Sequence, residues 1–207
     1  LNAKKISNIS LILLAAGESS RLGTPKQLLM YRGKNLMQHT IDQTQEMGLD
    51  TVLVLGAFSD QILEQVDTNN IKVVLNENWR EGLASSIRYG LGQVLQSNPD
   101  TEAVILVLCD QPFLTTEILE QILEKYYNSG LPIVHCNYGE ATGPPTLFHK
   151  SMFPHLLKLQ GHDGAKKVIN IFRDKLALVD FPDGKWDIDT KEDYQQFIAK
   201  DGHHDDI

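Results

Sequence analysis

Arg21, Lys26, Asp110, Asp187 and Asp189 are the residues of this chain whose types and surroundings best suit chemistry on phosphates. The two cations follow an apolar run in the stretch Leu14-Ala15-Ala16-Gly17-Glu18-Ser19-Ser20-Arg21-Leu22-Gly23-Thr24-Pro25-Lys26. Small residues there let backbone approach a ligand closely, and Gly17 is free to take a positive φ angle. Successive backbone N–H groups in such a turn form a concavity for an anion. Arg21 suits forked contacts with phosphate oxygens, whereas Lys26 acts as a point charge. The turn is not a Walker loop, because Gly23 is followed by Thr24 and Pro25. Nor is it a dinucleotide loop, because Gly17 is followed by Glu18 and Ser19. On the residues alone, an ordinary strand-to-helix turn with two surface cations stays open.

The carboxylates fall in two further places. A β-rich apolar run over 103–108 ends at Cys109-Asp110-Gln111-Pro112. A hard cation such as Mg²⁺ takes one or two protein carboxylates together with phosphate oxygens, and Asp110 fits that need. A plain turn or capping aspartate is the competing reading. In Trp186-Asp187-Ile188-Asp189-Thr190-Lys191-Glu192-Asp193-Tyr194, alternation puts Asp187 and Asp189 on one face of an extended segment. Thr190 and Asp193 also fit a capping box for the helix that follows. Ala84, Ser85 and Ser86 open another helix, where N–H and O–H groups meet a base or phosphate, or simply cap the helix. Gly143 to Phe148 and Gly161 to Lys167 read, at their plainest, as a strand-initiating turn and a capped helix start.

The elements that must position these residues are legible from periodicity. Segments 9–14, 51–55, 72–75, 103–108 and 132–136 read as strands, mostly continuously apolar, as expected when helices cover both sheet faces. Helical stripes run through Leu36, Met37, Thr40, Ile41 and Thr44, through Leu83, Ile87, Leu91 and Leu95, and through Ile118, Leu119, Ile122, Leu123, Tyr126 and Tyr127. This alternation predicts an α/β fold with a doubly wound, mostly parallel sheet. Ligands in such sheets sit beyond the carboxyl ends of the strands. After residue 137 the pattern changes: 138–145 reads as a loop, 146–148 and 175–181 as short strands of a small mixed-sheet elaboration, and 192–200 as a closing helix.

With 207 residues, 42% of them hydrophobic, the chain has material for one core, expected over 1–200 with a frayed polar tail at 201–207. That tail holds His203 and His204, which a solvated terminus does not fix for metal binding. A net charge of −8 argues against a nucleic-acid partner but not against a small anionic substrate. No apolar run is long enough to span a bilayer, and the first ten residues lack a secretory pattern. Cys109 and Cys136 are too few for a disulfide framework, so the cytoplasm is the expected location.

Taken together, L-A-A-G-x-S-x-R-x-G-x-x-K, D-Q-P after the fourth strand, G-L-A-S-S and D-I-D-T-x-E-D-Y resemble the motifs of the molybdenum cofactor cytidylyltransferase-like nucleotidyltransferases, and the resemblance runs from Ile9 to Tyr194. It implies a Rossmann-like nucleotidyltransferase fold. It implies that Leu14, Ala15, Ala16, Gly17, Arg21 and Lys26 wrap a triphosphate, with Arg21, Lys26 and Asp110 catalytic. Asp110 and Asp189, with Asp187 second, would hold Mg²⁺, and Ala84, Ser85 and Ser86 would read the base. L-A-A-G in the first turn points to CTP. Gly143, Pro145, Asp163, Gly164 and Lys166 would wall a molybdopterin-type acceptor, although His162 and Lys166 stand where the family has Asp and Arg. A molybdoenzyme or its insertion chaperone would then receive the product. The competing readings are a sugar- or alditol-phosphate nucleotidyltransferase and a nucleotide-binding module without turnover.

Overall fold

Apolar runs of four to seven residues make strands that need cover on both faces, and the intervening stripes supply helices to give it. The computed structural model describes residues 8–19 and 22–201. Its strands are β1 (Ile9–Ala15), β2 (Met30–Tyr31), β3 (Lys34–Asn35), β4 (Asp50–Leu55), β5 (Lys72–Leu75), β6 (Ala103–Leu108), β7 (Ile133–Asn137), β8 (Thr142–His149) and β9 (Leu176–Asp180). Its α-helices are α1 (Leu36–Glu46), α2 (Ser59–Leu63), α3 (Leu83–Ser97), α4 (Thr116–Ser129), α5 (Phe153–Leu156), α6 (Lys166–Ile171) and α7 (Lys191–Asp201). Arg21 and residues 202–207, including His203 and His204, lie outside the described residues.

The main sheet has the order β5-β4-β1-β6-β8-β7-β9. β1 is parallel to β4 and β6, and β4 is parallel to β5. β8 runs antiparallel to both β6 and β7, while β7 and β9 are parallel. The chain therefore leaves β1 to one side and later reaches β6 on the other. A crevice forms at such a reversal, beyond the strands' carboxyl ends. Leu14 is in register with Leu108, so the turns that follow β1 and β6 emerge side by side.

Side chains alternate across β1. Leu11, Leu13 and Ala15 join a core with Met37 and Ile41 of α1 and Leu119, Ile122 and Leu123 of α4. Ile12, Leu14 and Ala16 join a second core with Ala84, Ile87, Leu91 and Val94 of α3. At Gly90 a Cβ would come within 2.7 Å of Ile12 Cγ2 and 2.9 Å of Val54 Cγ2, so α3 sits against the sheet at a distance only glycine permits. A third, smaller cluster of Leu22, Tyr31, Leu36, Ile188 and Phe197 ties α7 to the β2–β3 hairpin.

The structure contains the expected strands, their ends moved by at most one residue except in β8, and corrects one loop. Residues 142–145 belong to β8, with Thr142 opposite Asn137 and Gly143 opposite Cys136. The register shifts between His135 and Cys136, and Pro144 and Pro145 fall in that irregularity. Proline has no N–H to offer a ladder, so a bulge is where a strand accommodates it. The mixed part is continuous with the parallel part in one sheet. The β2–β3 hairpin and α2 had no expectation, because strands of two residues and a helix of five carry too little period to read.

Candidate active site

Lys26 follows the turn after β1 and is the first residue of a short 3₁₀ turn, Lys26–Leu28. Its Nζ donates to Asp110 Oδ2 and, at 3.2 Å, to Asp189 Oδ1. These partners lie 84 and 163 residues away in sequence. Burial by itself would lower the Lys26 pKa, but the acidic neighbours together, Asp110 first and then Cys109 and Asp187, outweigh burial and raise it, so the ammonium stays charged. The neighbouring Cys109 thiol is pushed up to about 12 by burial and by the Asp110 charge. It is therefore protonated near neutrality and is no nucleophile.

The turn itself is held from beneath. Gln27, buried, donates through Nε2 to Ala15 O at 2.9 Å and to Gly17 O at 3.3 Å. Ala57 N donates to the intervening Ala16 O at 3.1 Å. Three consecutive carbonyl oxygens are thus tied to protein donors. Gly17 does not use its freedom to take a positive φ; Ser19 does, with φ at +50°. Ser19 can bear it because its Oγ accepts from Lys26 N at 3.1 Å and its carbonyl accepts from Leu22 N and Gly23 N. A Cβ at Gly17 would meet nothing within 4 Å, so the backbone there is open to the cavity.

Asp110 is buried, and its Oδ1 has no hydrogen-bond partner among the described residues. Single carboxylate oxygens of Asp110, Asp187 and Asp189 all lie within 4.8 Å of one another. The Asp187 pKa is raised, first by loss of solvent and then by the Asp110 charge. Ile188, between the two terminal aspartates, is buried in the third cluster, which turns both acidic neighbours to the other side. The capping box is present: Thr190 N donates to Asp193 Oδ2 at 2.8 Å and Asp193 N to Thr190 Oγ1 at 3.1 Å. Like charges so close call for a cation, and an all-oxygen set with one orphaned buried oxygen fits a hard divalent ion.

A cavity of about 610 Å³ opens at the carboxyl ends of β1 and β6, where Leu14, Ala15, Ala16, Gly17, Lys26, Ser86 and Asp110 reach its wall. Ala84 and Ser85 do not. Ala84 packs in the core, and Ser85 Oγ donates to Gly82 O and Asn78 O and accepts from Asn76 Nδ2; the N-cap is Gly82, so the serines do not cap the helix. Gly143, Gly164 and Lys166 line a second cavity of about 170 Å³ that shares Leu14, Leu83 and Leu108 with the first. Pro145 is buried and does not line it, and Asp163 is taken up by Lys167 Nζ at 2.8 Å and Gln160 N at 3.4 Å. A larger cavity, about 770 Å³, lies at the opposite, amino ends of β1, β4 and β5 beside Ser10, Asp50 and Lys72, away from the acidic cluster.

Several residues that sequence reasoning left without a role also stand here. Trp79, with the Arg80 guanidinium 4.3 Å over its ring, lines the first cavity beside His162. Gln111 Nε2 lies within hydrogen-bond distance of three acceptors, Tyr138 Oη at 2.6 Å, Pro144 O at 3.0 Å and Gly184 O at 3.3 Å, which its two N–H groups share. It thereby fastens the segment before Asp187 to the turn that carries Asp110. A glutamine directly after the candidate lysine and aspartate was the available sign, since Gln27 follows Lys26 and Gln111 follows Asp110.

A doubly wound sheet that brings a small-residue turn, a lysine and three carboxylates together at its strand reversal has the architecture of the nucleotidyltransferases. Residues 11–178 match the MobA-like NTP transferase domain, and the chain belongs to that family. It is 32% identical to nicotine blue oxidoreductase of Paenarthrobacter nicotinovorans over 117 residues, 56% of this chain and about half (55%) of that protein's length. It is 24% identical to the purine catabolism protein PucB of Bacillus subtilis over 88% of this chain and 92% of that protein. Among solved structures, Rv0371c of Mycobacterium tuberculosis H37Rv superposes with a TM-score of 0.80 at 30% identity, covering 94% of this chain and 99% of that one. The same protein is known in complex with manganese, with a TM-score of 0.76, 28% identity and coverage of 92% and 97%. No helix among the described residues is long and apolar enough to cross a membrane.

Proposed function

We propose that this chain transfers CMP from CTP to the phosphate of a molybdenum-bearing molybdopterin and releases pyrophosphate. The observation that carries the reading is the meeting of Lys26 with Asp110 and Asp189 beside the turn after β1. With its carbonyls tied down, that turn offers N–H groups to the triphosphate, and Lys26 offsets charge on the phosphates. Arg21 takes the second cationic role, on the strength of the motif it belongs to. Asp110, Asp189 and Asp187 are the residues to hold Mg²⁺; manganese in a relative supports a divalent ion at this kind of site. When bound, that ion supplies positive charge to the triphosphate and polarises its phosphorus.

An oxygen of the acceptor phosphate attacks the α-phosphorus of the nucleotide, and the bond to the β-phosphate breaks as pyrophosphate leaves. The acceptor oxygen is already anionic, so the chain supplies alignment and charge rather than a strong base. Ser86, held by Asn76 Nδ2 at 3.0 Å, is placed to meet the nucleotide, with Ala84 and Ser85 shaping the helix start behind it. Gly143, Gly164 and Lys166 line the acceptor side, with Pro145 buried next to Pro144 in β8 and Asp163 anchoring Lys167. Free, buried cysteines suit a cytoplasmic setting, where a molybdoenzyme or its insertion chaperone would collect the product.

Pyrophosphate release measured with CTP, GTP, ATP and UTP, with and without the molybdopterin acceptor, tests the proposal. CTP should lead and release should require acceptor. Release with a sugar phosphate only would move the assignment to another acceptor, and binding without release would make the chain a nucleotide sensor. Asp110→Asn should cut turnover by about 10²–10³-fold, the scale of losing one preorganised charge contact.

A further inference from the structure

The smaller cavity holds a polar group that the reaction above does not use. Most of its wall is aliphatic, from Leu14, Leu83, Ile87, Leu106 and Ile169. His135 of β7 also lines it, although the residue is only 3% exposed. Its Nδ1 sits 2.6 Å from Thr146 Oγ1 across the ladder to β8. Its Nε2 is buried with no hydrogen-bond partner among the described residues. Buried polar atoms are nearly always paired, so an unpaired ring nitrogen in a side chain that lines a cavity asks for a partner that arrives with a ligand. The ring is neutral at ordinary pH, because burial and then the Lys166 charge lower its pKa to about 4. A neutral imidazole gives or takes one hydrogen bond at that nitrogen, according to its tautomer.

We infer that His135 is a specificity-determining residue for the acceptor, its Nε2 hydrogen-bonding a ring heteroatom of the acceptor seated in this aliphatic compartment. This rests on the acceptor reading given above. The wall argues for a flat heterocycle over a polyol. A ring buries its faces against Leu14, Leu106 and Ile169 and needs few polar partners. A sugar or alditol would bring several hydroxyls into a space whose polar side chains are His135, Thr142, Thr146 and Lys166, with Thr146 already engaged. Hydroxyls left unpaired in such a space count heavily against binding.

The test uses the full chain, free pterin as the probe and ¹⁵N-labelled histidine. Adding pterin should move the Nε2 resonance of His135 and leave those of His149 and His155 in place. His135→Leu should weaken pterin binding at least tenfold with CTP affinity unchanged, and His135→Gln should recover part of the loss. Pterin binding that leaves both the resonance and the His135→Leu affinity unaltered would overturn the assignment of His135 while the acceptor reading stands. Failure of the wild-type chain to bind pterin would overturn both. The resonance needs no variant, so poor folding of His135→Leu does not blur the result.

Discussion

Between Asp110 and Asp189 the Lys26 ammonium offsets two carboxylates that would otherwise repel each other. Lys26→Met should therefore act on stability as well as on turnover. Turnover should fall about 10²–10³-fold. Stability should fall by about 1–3 kcal/mol, less than for a fully buried pair, because Asp110 is left buried without its cation. Added Mg²⁺ or Mn²⁺ should restore part of that stability, since either ion neutralises the same oxygens. Urea unfolding with and without metal checks both statements; equal stability of variant and wild type would remove the electrostatic role. His135 makes a separate prediction. Its pKa is depressed from 6.5 to about 4, so between those values the unfolded chain binds the extra proton. The stability from keeping the ring neutral is complete above pH 6.5 and is lost as pH falls toward 4, by up to about 3 kcal/mol. Unfolding of wild type and His135→Gln compared from pH 7 to 4 should show a shallower decline in the variant.

At the scale of elements, α7 delivers the terminal aspartates. Its cap, Thr190, directly follows Asp189, and its Phe197 is buried among Tyr31, Leu36 and Ile188. Tyr194 Oη donates to Met30 O at 2.8 Å, fastening the helix to the β2–β3 hairpin. Thr190→Ala should cost about 1 kcal/mol of stability and weaken metal affinity, read by denaturation and by metal titration. Unchanged metal affinity would show that the cap does not position Asp189. The start of α3 is tied in the same way to residues 161–166, on the proposed acceptor side. Gly82 has a φ of +102°, and a Cβ there would lie 2.4 Å from Gly161 O. Ala84 N donates to that same oxygen at 3.2 Å. Gly82→Ala should push residues 161–166 away, raising the KM for acceptor more than that for nucleotide. A change confined to the nucleotide KM would contradict this coupling.

Across the whole molecule, the proposed cation site lies apart from the folding core, because the two large cores are apolar and lie on the sheet faces while the acidic cluster sits at one end. A chelator should abolish pyrophosphate release and lower the thermal midpoint modestly, with the far-ultraviolet circular dichroism spectrum retained; loss of that spectrum would make the ion structural. The strands of the parallel half, the three long helices α1, α3 and α4, and the cap of α7 were legible in the residue order, because apolar runs, 3.6-residue stripes and capping boxes are local patterns. So was the pairing of Asp187 with Asp189 on one side of Ile188. Other features were settled only by tertiary structure. Sheet order, which no local period encodes, brings Lys26 to Asp110 and Asp189. The strand character of residues 142–145 depends on β7 as a partner, since two prolines argue locally for a loop. Gln27, Gln111 and His135 are polar residues whose meaning comes from burial, and burial belongs to the assembled fold. The left-handed turn at Ser19 rather than Gly17 has the same origin, because the bonds that sustain it come from residues brought back by the turn itself.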